Sequence, residues 1–269
     1  MKKLISIVIF ILVIMQMHGD FSGLNKGTRS LGMGNAFSAM GEISESVFYN
    51  AAGSADIESE SISASYQNQY GISDLMNLNL AITLPYKKFV YGLAIQQVNL
   101  LDVYSENIFY FNLAWKYKYK FSSLKLGMNM KHFRINCEDD ITSIKTPFDF
   151  DYGMILQLKS ISLAYSNQNV RRNQEVLDHI GSSHILGLAI KWEDLLRYTV
   201  DYEISCKEEF FRTGIELWFF DTFAPRLGFD DKYLTMGFGL KSSWWVFDFG
   251  MKTHEELGSM YRFGLSIKL

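Results

Sequence analysis

The sequence predicts an all-β protein, a closed antiparallel transmembrane β-barrel of about 14 strands with an N-terminal plug inside it. Three observations predict it. Apolar and polar residues alternate with a period of two from Ser61 onward. Most alternating segments run about 9 to 11 residues, the length a tilted strand needs to cross a bilayer. Connections after the even-numbered segments are short, and the longest, 136–147 and 168–182, follow odd-numbered ones. Short periplasmic turns and longer outside loops have that pattern.

The chain begins with a basic Met1–Lys3 and an almost wholly apolar Leu4–Met17. This reads as a secretory signal over 1–19, too short for a membrane helix. No later apolar run is long enough for one. The formal charge is 26 − 29 = −3, or 24 − 29 = −5 without Lys2 and Lys3. An acidic chain is not an electrostatic nucleic-acid binder.

Residues 20–58 read differently. Small residues and glycines dominate, the alternation is broken, and a short helix-like stretch around Ser44–Ala52 is closed by Gly53. A polar, glycine-rich segment ahead of a wide barrel suits a plug or hatch. Gly32-x-Gly34 is not a dinucleotide fingerprint, because Phe37 stands at the third glycine position.

Residues 59–269 read as the barrel. The expected strands are 61–69, 77–85, 88–98, 107–119, 124–135, 148–158, 160–167, 183–192, 196–205, 209–219, 222–230, 232–241, 244–253 and 260–268. The last is the clearest, with Tyr261, Phe263, Leu265, Ile267 and Leu269 on one face and Arg262, Gly264, Ser266 and Lys268 on the other. Alternation alone does not say which face looks outward, and a soluble barrel or sandwich shows the same period. Three features favour lipid outside. A wide lumen cannot be filled by one layer of apolar side chains. The polar face carries charge of both signs, at Asp149, Asp151, Arg197, Asp201, Glu203, Arg212, Glu216, Asp248 and Arg262, which needs water or mutual pairing. Aromatic residues collect near the short turns, at Tyr86, Phe89, Tyr91, Tyr117, Tyr119, Trp192, Tyr198, Phe219 and Trp245, as in an interfacial girdle. The expected location is the outer membrane, in contact with its lipid, with both termini periplasmic.

Catalytic chemistry is sparse. The two cysteines, Cys137 and Cys206, have no zinc-type spacing; they read as incidental thiols or one disulfide. None of the five histidines forms a metal pair, and no nucleophile–base set is evident. The expectation is a non-enzymatic protein without cofactor or metal. The charged wall, with Asp201, Glu203, Arg212, Glu216 and Arg262 as its candidate site residues, reads as a cross-strand network stiffening the barrel or as a selectivity lining. A tight turn around Cys206–Glu209 places Glu203 opposite Arg212.

Gly27-Thr28-Arg29-Ser30-Leu31-Gly32-Met33-Gly34-Asn35-Ala36-Phe37, followed by Val47-Phe48-Tyr49-Asn50-Ala51-Ala52-Gly53, resembles the N-terminal signature of the PorV/PorQ group within the FadL-like outer-membrane proteins. Ala51 stands where that signature has proline. The C-terminal stretch, with Pro225-Arg226-x-Gly228 and Tyr261-Arg262-Phe263, is also similar. The resemblance implies a barrel with an N-terminal hatch, whose motif residues here are Arg29, Gly32, Gly34, Asn35, Asn50 and Gly53. Arg29, Asn35 and Asn50 are expected to hydrogen-bond to the wall. The resemblance also implies a function. PorV-like proteins bind protein partners in type IX secretion at the outer membrane; FadL-like proteins pass hydrophobic small molecules of the fatty-acid class. The first is the leading expectation and the second its alternative, with a passive porin-like barrel behind both.

Overall fold

A chain that alternates apolar and polar residues over many strands has two unlike sheet faces and two exposed edges, and closing the sheet removes the edges. The computed structural model shows that closure. It describes residues 27–68, 71–72, 74–101, 104–137, 148–171, 181–205, 208–254 and 258–269. The expected signal segment, Cys206 and most of loops 136–147 and 168–182 lie outside them, and so does any pairing of Cys137 with Cys206.

The barrel has 14 antiparallel strands, each paired with its sequence neighbours. They are β1 Ser61–Asn68, β2 Leu75–Tyr86, β3 Phe89–Leu100, β4 Tyr104–Tyr119, β5 Ser122–Cys137, β6 Phe148–Leu158, β7 Ile161–Gln168, β8 Ser183–Trp192, β9 Leu196–Ser205, β10 Glu208–Leu217, β11 Phe223–Asp230, β12 Tyr233–Lys241, β13 Trp245–His254 and β14 Gly258–Lys268. The register of β14 on β1, from Ser61↔Lys268 to Asn68↔Tyr261, closes the ring. Strands β4 and β5 are 16 residues each, longer than the segments read from the sequence. Strand β10 ends at Leu217, and its ladder with β11 stops at Glu216↔Arg226. Pro225 has no N–H to extend it. Phe219, expected within the strand, is held by a single bridge to Phe223.

The faces sort as a membrane barrel requires. On β4, Phe111 is 61% exposed and its neighbour Asn112 4%. Leu80, Leu113, Met154, Leu186, Leu227 and Phe263 share the outward face with Phe111, and Asn79, Asn129, Asp201, Glu216 and Arg262 share the inward one. An apolar outer surface of this extent is stable against hydrocarbon. Tyr86, Tyr119 and Trp192 stand exposed beside the short turns. Both ends of the barrel sheet meet on that rim, where the Leu269 amide donates to the Glu60 carbonyl. Among the described residues no helix is long and apolar enough to cross a membrane.

Residues 27–58 run inside the ring. Helix α1 spans Thr28–Gly32, and two short 3-10 helices follow at Ser44–Phe48 and Gly53–Asp56. Helix α1 packs on β11 to β14, the first 3-10 helix on β1 to β3, and the second on β3 to β5. The helix-like stretch read over 44–52 is shorter than expected. At Asn50 the side-chain Oδ1 accepts the Ala52 amide at 2.9 Å, an Asx turn that competes with the helix. Gly53 opens the second 3-10 helix rather than closing the first.

The wall carries glycine where the inner segment comes closest. A Cβ at Gly127 would collide with the Ala51 carbonyl and Ala52 nitrogen, and one at Gly214 with the backbone of Met33. Gly127→Val, favourable for a strand, is therefore expected to leave the barrel folded and unseat the second 3-10 helix. The check is proteolysis of residues 27–58 in detergent; the variant is cut while the barrel keeps its heat-modifiable migration.

Candidate functional site

The lumen divides into a charged half and a more apolar half, where a hydrophobic cluster sits among the ion pairs Lys131–Asp151, at 2.6 Å, and Asp56–Lys116, at 3.0 Å. The charged half faces α1. Glu216 on β10 is fully buried, and buried carboxylates need charge partners and hydrogen bonds. It accepts from Arg29 Nε at 2.8 Å and Nη2 at 2.6 Å, from Arg226 Nε at 2.7 Å, from Arg197 Nη1 at 2.9 Å and from Trp218 Nε1 at 2.7 Å. Arg226 also pairs with Asp248 at 2.6 Å, and Arg197 with Glu42 at 3.1 Å. Three guanidiniums thus meet three carboxylates.

A second node is Asp230. It accepts from Asn35 Nδ2 at 2.8 Å, Arg212 Nε at 2.8 Å and Lys252 Nζ at 2.6 Å. A third is Asp201, whose Oδ2 accepts the Phe37 and Ser38 amides at 2.9 Å each, while Oδ1 accepts the Ser38 hydroxyl at 2.7 Å. A carboxylate is the right group for a turn of the inner segment that presents two free N–H groups.

The expected residues land as follows. Arg29 and Asn35 bond to the wall. Asn50 bonds mainly within its own segment, through Nδ2 to the Ser38 carbonyl at 2.9 Å, with a longer contact of 3.4 Å to the Tyr165 carbonyl on β7. Gly32 lies against Gly237 and Arg226. Gly34 has φ 64° and donates its amide to Thr235 Oγ1 at 2.9 Å. Gly53 packs on Met40 and Ser46 of its own segment. The direct Glu203–Arg212 pairing is corrected. Arg212 stands opposite Asp201, and Glu203 opposite Phe210. The guanidinium still reaches Glu203 along the diagonal, a distance long side chains span. Arg226, Asp230 and Lys252 join these networks beyond the expected site residues, and their strand parity places them inward.

Arg262 donates to the Gly27 carbonyl at 2.9 Å, and its Nε and Nη2 meet no acceptor among the described residues. Glu45 holds the Thr28 amide at 3.2 Å. Burial pushes the Glu45 carboxyl up to about 7, with Asp248 adding to the rise and Arg262 and the Thr28 amide opposing it.

The apolar half faces the 3-10 helices. Wall amides tie down carbonyls of the first helix and of the turn between the two: Asn112 donates to Ala51 and Asn129 to Val47, each at 3.0 Å, and Gln168 to Tyr49 at 2.7 Å. Asp56 pairs with Lys116 at 3.0 Å and with Lys125. Above these ties an apolar cluster joins segment and wall. Phe37, Met40, Val47, Phe48 and Tyr49 meet Ile108, Tyr110, Phe133 and Ile155, with Val98 and Tyr104 packed against them. Phe48 sits edge-on to Tyr110 with centroids 5.3 Å apart. Apolar side chains on an inward face are unexpected in a water-filled pore. Among the described residues no group of three or more His, Cys, Asp or Glu could hold a metal ion.

The fold has counterparts among solved structures. The fold is FadL-like. The Ralstonia pickettii toluene transporter TbuX matches with TM-score 0.58 and 11% identity over 90% of this chain and 96% of that one. A Pseudomonas aeruginosa FadL homologue gives 0.56 and 10% over 90% and 97%. The P. putida toluene transporter TodX gives 0.58 and 7% over 90% and 98%. At these identities the likeness is one of fold. No family model and no curated protein matches the sequence.

Breaking a buried ion network by removing its centre leaves uncompensated charge and costs about 3–5 kcal/mol. Glu216→Ala strands Arg29, Arg197 and Arg226 in this way. The expected result is a loosened α1 and a raised small-ion conductance in planar bilayers. Arg29→Ala should act in the same direction and more weakly, because Arg197 and Arg226 still hold Glu216.

Proposed function

We propose that this protein is an outer-membrane passage for hydrophobic small molecules, closed by residues 27–58 acting as a plug. One observation carries the reading. The inward face of β4 and β5 carries Ile108, Tyr110 and Phe133 on the long-loop side of the lumen, interrupted by Lys131, which pairs with Asp151 at 2.6 Å, and Phe48 of the inner segment packs there. A passage for polar solutes gains nothing from such a patch, and an apolar solute gains about 25 cal/mol per Å² buried on it. The solved structures of this fold include proteins described as toluene transporters and a monoaromatic hydrocarbon channel. That supports the same class of solute for this chain.

Short turns on the rim that also carries both ends of the barrel sheet support periplasmic termini. The secretion role expected from the PorV/PorQ resemblance gains no support from the comparisons, and the loops expected to hold protein partners lie mostly outside the described residues.

Mass spectrometry of the protein, extracted in mild detergent from its own outer membrane, tests this reading. The expected outcome is a hydrophobic molecule retained near one per barrel, reduced about tenfold in Phe133→Asn, which puts an amide into the patch. Retention of secretion-system proteins without a hydrophobic molecule would overturn it.

A further inference from the structure

The short-turn rim is electrically lopsided. The hairpins β2–β3, β4–β5 and β6–β7 carry Lys87, Lys88, Lys118, Lys120 and Lys159 and no Asp or Glu in their turns. All five are exposed, and none makes an ion pair with a described carboxylate. The opposite half of the rim is neutralised: Lys191 pairs with Asp194 at 3.0 Å and Lys241 with Asp221 at 2.6 Å.

Two of the free lysines show which way they face. The ammonium of Lys87 lies 5.0 Å from the Tyr86 ring centroid, and that of Lys120 lies 5.5 Å from the Tyr119 centroid. Both rings belong to the outward, lipid-side face. The cations are therefore held at the outer margin of the rim, just past the aromatic belt, where a long side chain keeps its stem in the interface and its charge in the headgroup layer. Their hairpins are two strand widths apart, about 10 Å.

We propose that the rim over β2–β7 binds the phosphates of anionic glycerophospholipids, with Lys87 and Lys120 as the contacting groups and Tyr86 and Tyr119 as their platforms. Lys88, Lys118 and Lys159 add to the local positive potential. A soluble acidic partner would have no use for ammoniums lying over lipid-facing rings; a headgroup at the edge of the belt fits them. The proposal does not depend on what the lumen carries.

The test is spin-label electron resonance on the full chain in phosphatidylcholine vesicles, comparing trace spin-labelled phosphatidylglycerol with trace spin-labelled phosphatidylcholine at the barrel surface. The parent should prefer phosphatidylglycerol at low salt, and added salt should weaken the preference. The double variant Lys87→Gln, Lys120→Gln should lose most of it. The matching variant Lys191→Gln, Lys241→Gln on the neutralised half should keep it. Equal association of the two lipids with the parent, or equal losses in the two double variants, would overturn the proposal.

Discussion

Glu216 is the residue on which the inside of this barrel depends. Fourteen strands enclose more space than one layer of side chains can fill, so the inward face cannot be a dry core. The wall and the inner segment instead fill the lumen together, and each brings charge that the other must satisfy. Arg29 comes from the segment; Arg197, Arg226 and Glu216 come from three different strands. Buried pairs of this kind contribute little net stability, but removing one partner is costly. The network therefore specifies where α1 sits rather than adding strength.

The same logic explains the other contacts. Asp201 caps two backbone amides at the Phe37–Ser38 turn, and Asn112, Asn129 and Gln168 cap the carbonyls of Ala51, Val47 and Tyr49. An irregular segment has backbone groups without partners of its own, and inside a barrel the wall must supply them. Wall glycines at 127 and 214 let the two backbones touch. The segment is thus held by many modest directional bonds and one apolar cluster. A solute that competes for the cluster would loosen only part of the seat.

The strands were legible in the sequence because lipid outside and polar lumen inside impose a strict period of two. Strands β6, β8 and β9 match the expected bounds at both ends. Strand β10 stops short of Phe219, which keeps the outward parity, because Pro225 ends the ladder on the neighbouring strand. The inward charges at Asp201, Glu216 and Arg262 followed from parity. Their partners did not, because partners depend on register and on a segment with no periodicity. The apolar patch was hidden for a different reason. Ile108, Phe109, Tyr110 and Phe111 are apolar on both faces of β4, so alternation could not assign an inward side there. Helix α1 was missed because Thr28–Gly32 is a single turn with no apolar stripe.

The proposed passage of hydrophobic molecules requires the inner segment to move, and that is the claim most directly open to test. Ser44 on the first 3-10 helix and Thr83 on β2 have side-chain oxygens 2.8 Å apart, so cysteines placed there face each other. The measurement is entry of the hydrophobic fluorophore N-phenylnaphthylamine into cells carrying Ser44→Cys, Thr83→Cys, with Cys137 and Cys206 replaced by serine. Entry that stops on oxidation and returns on reduction is the predicted result. Equal entry in the locked and unlocked states would contradict a moving plug.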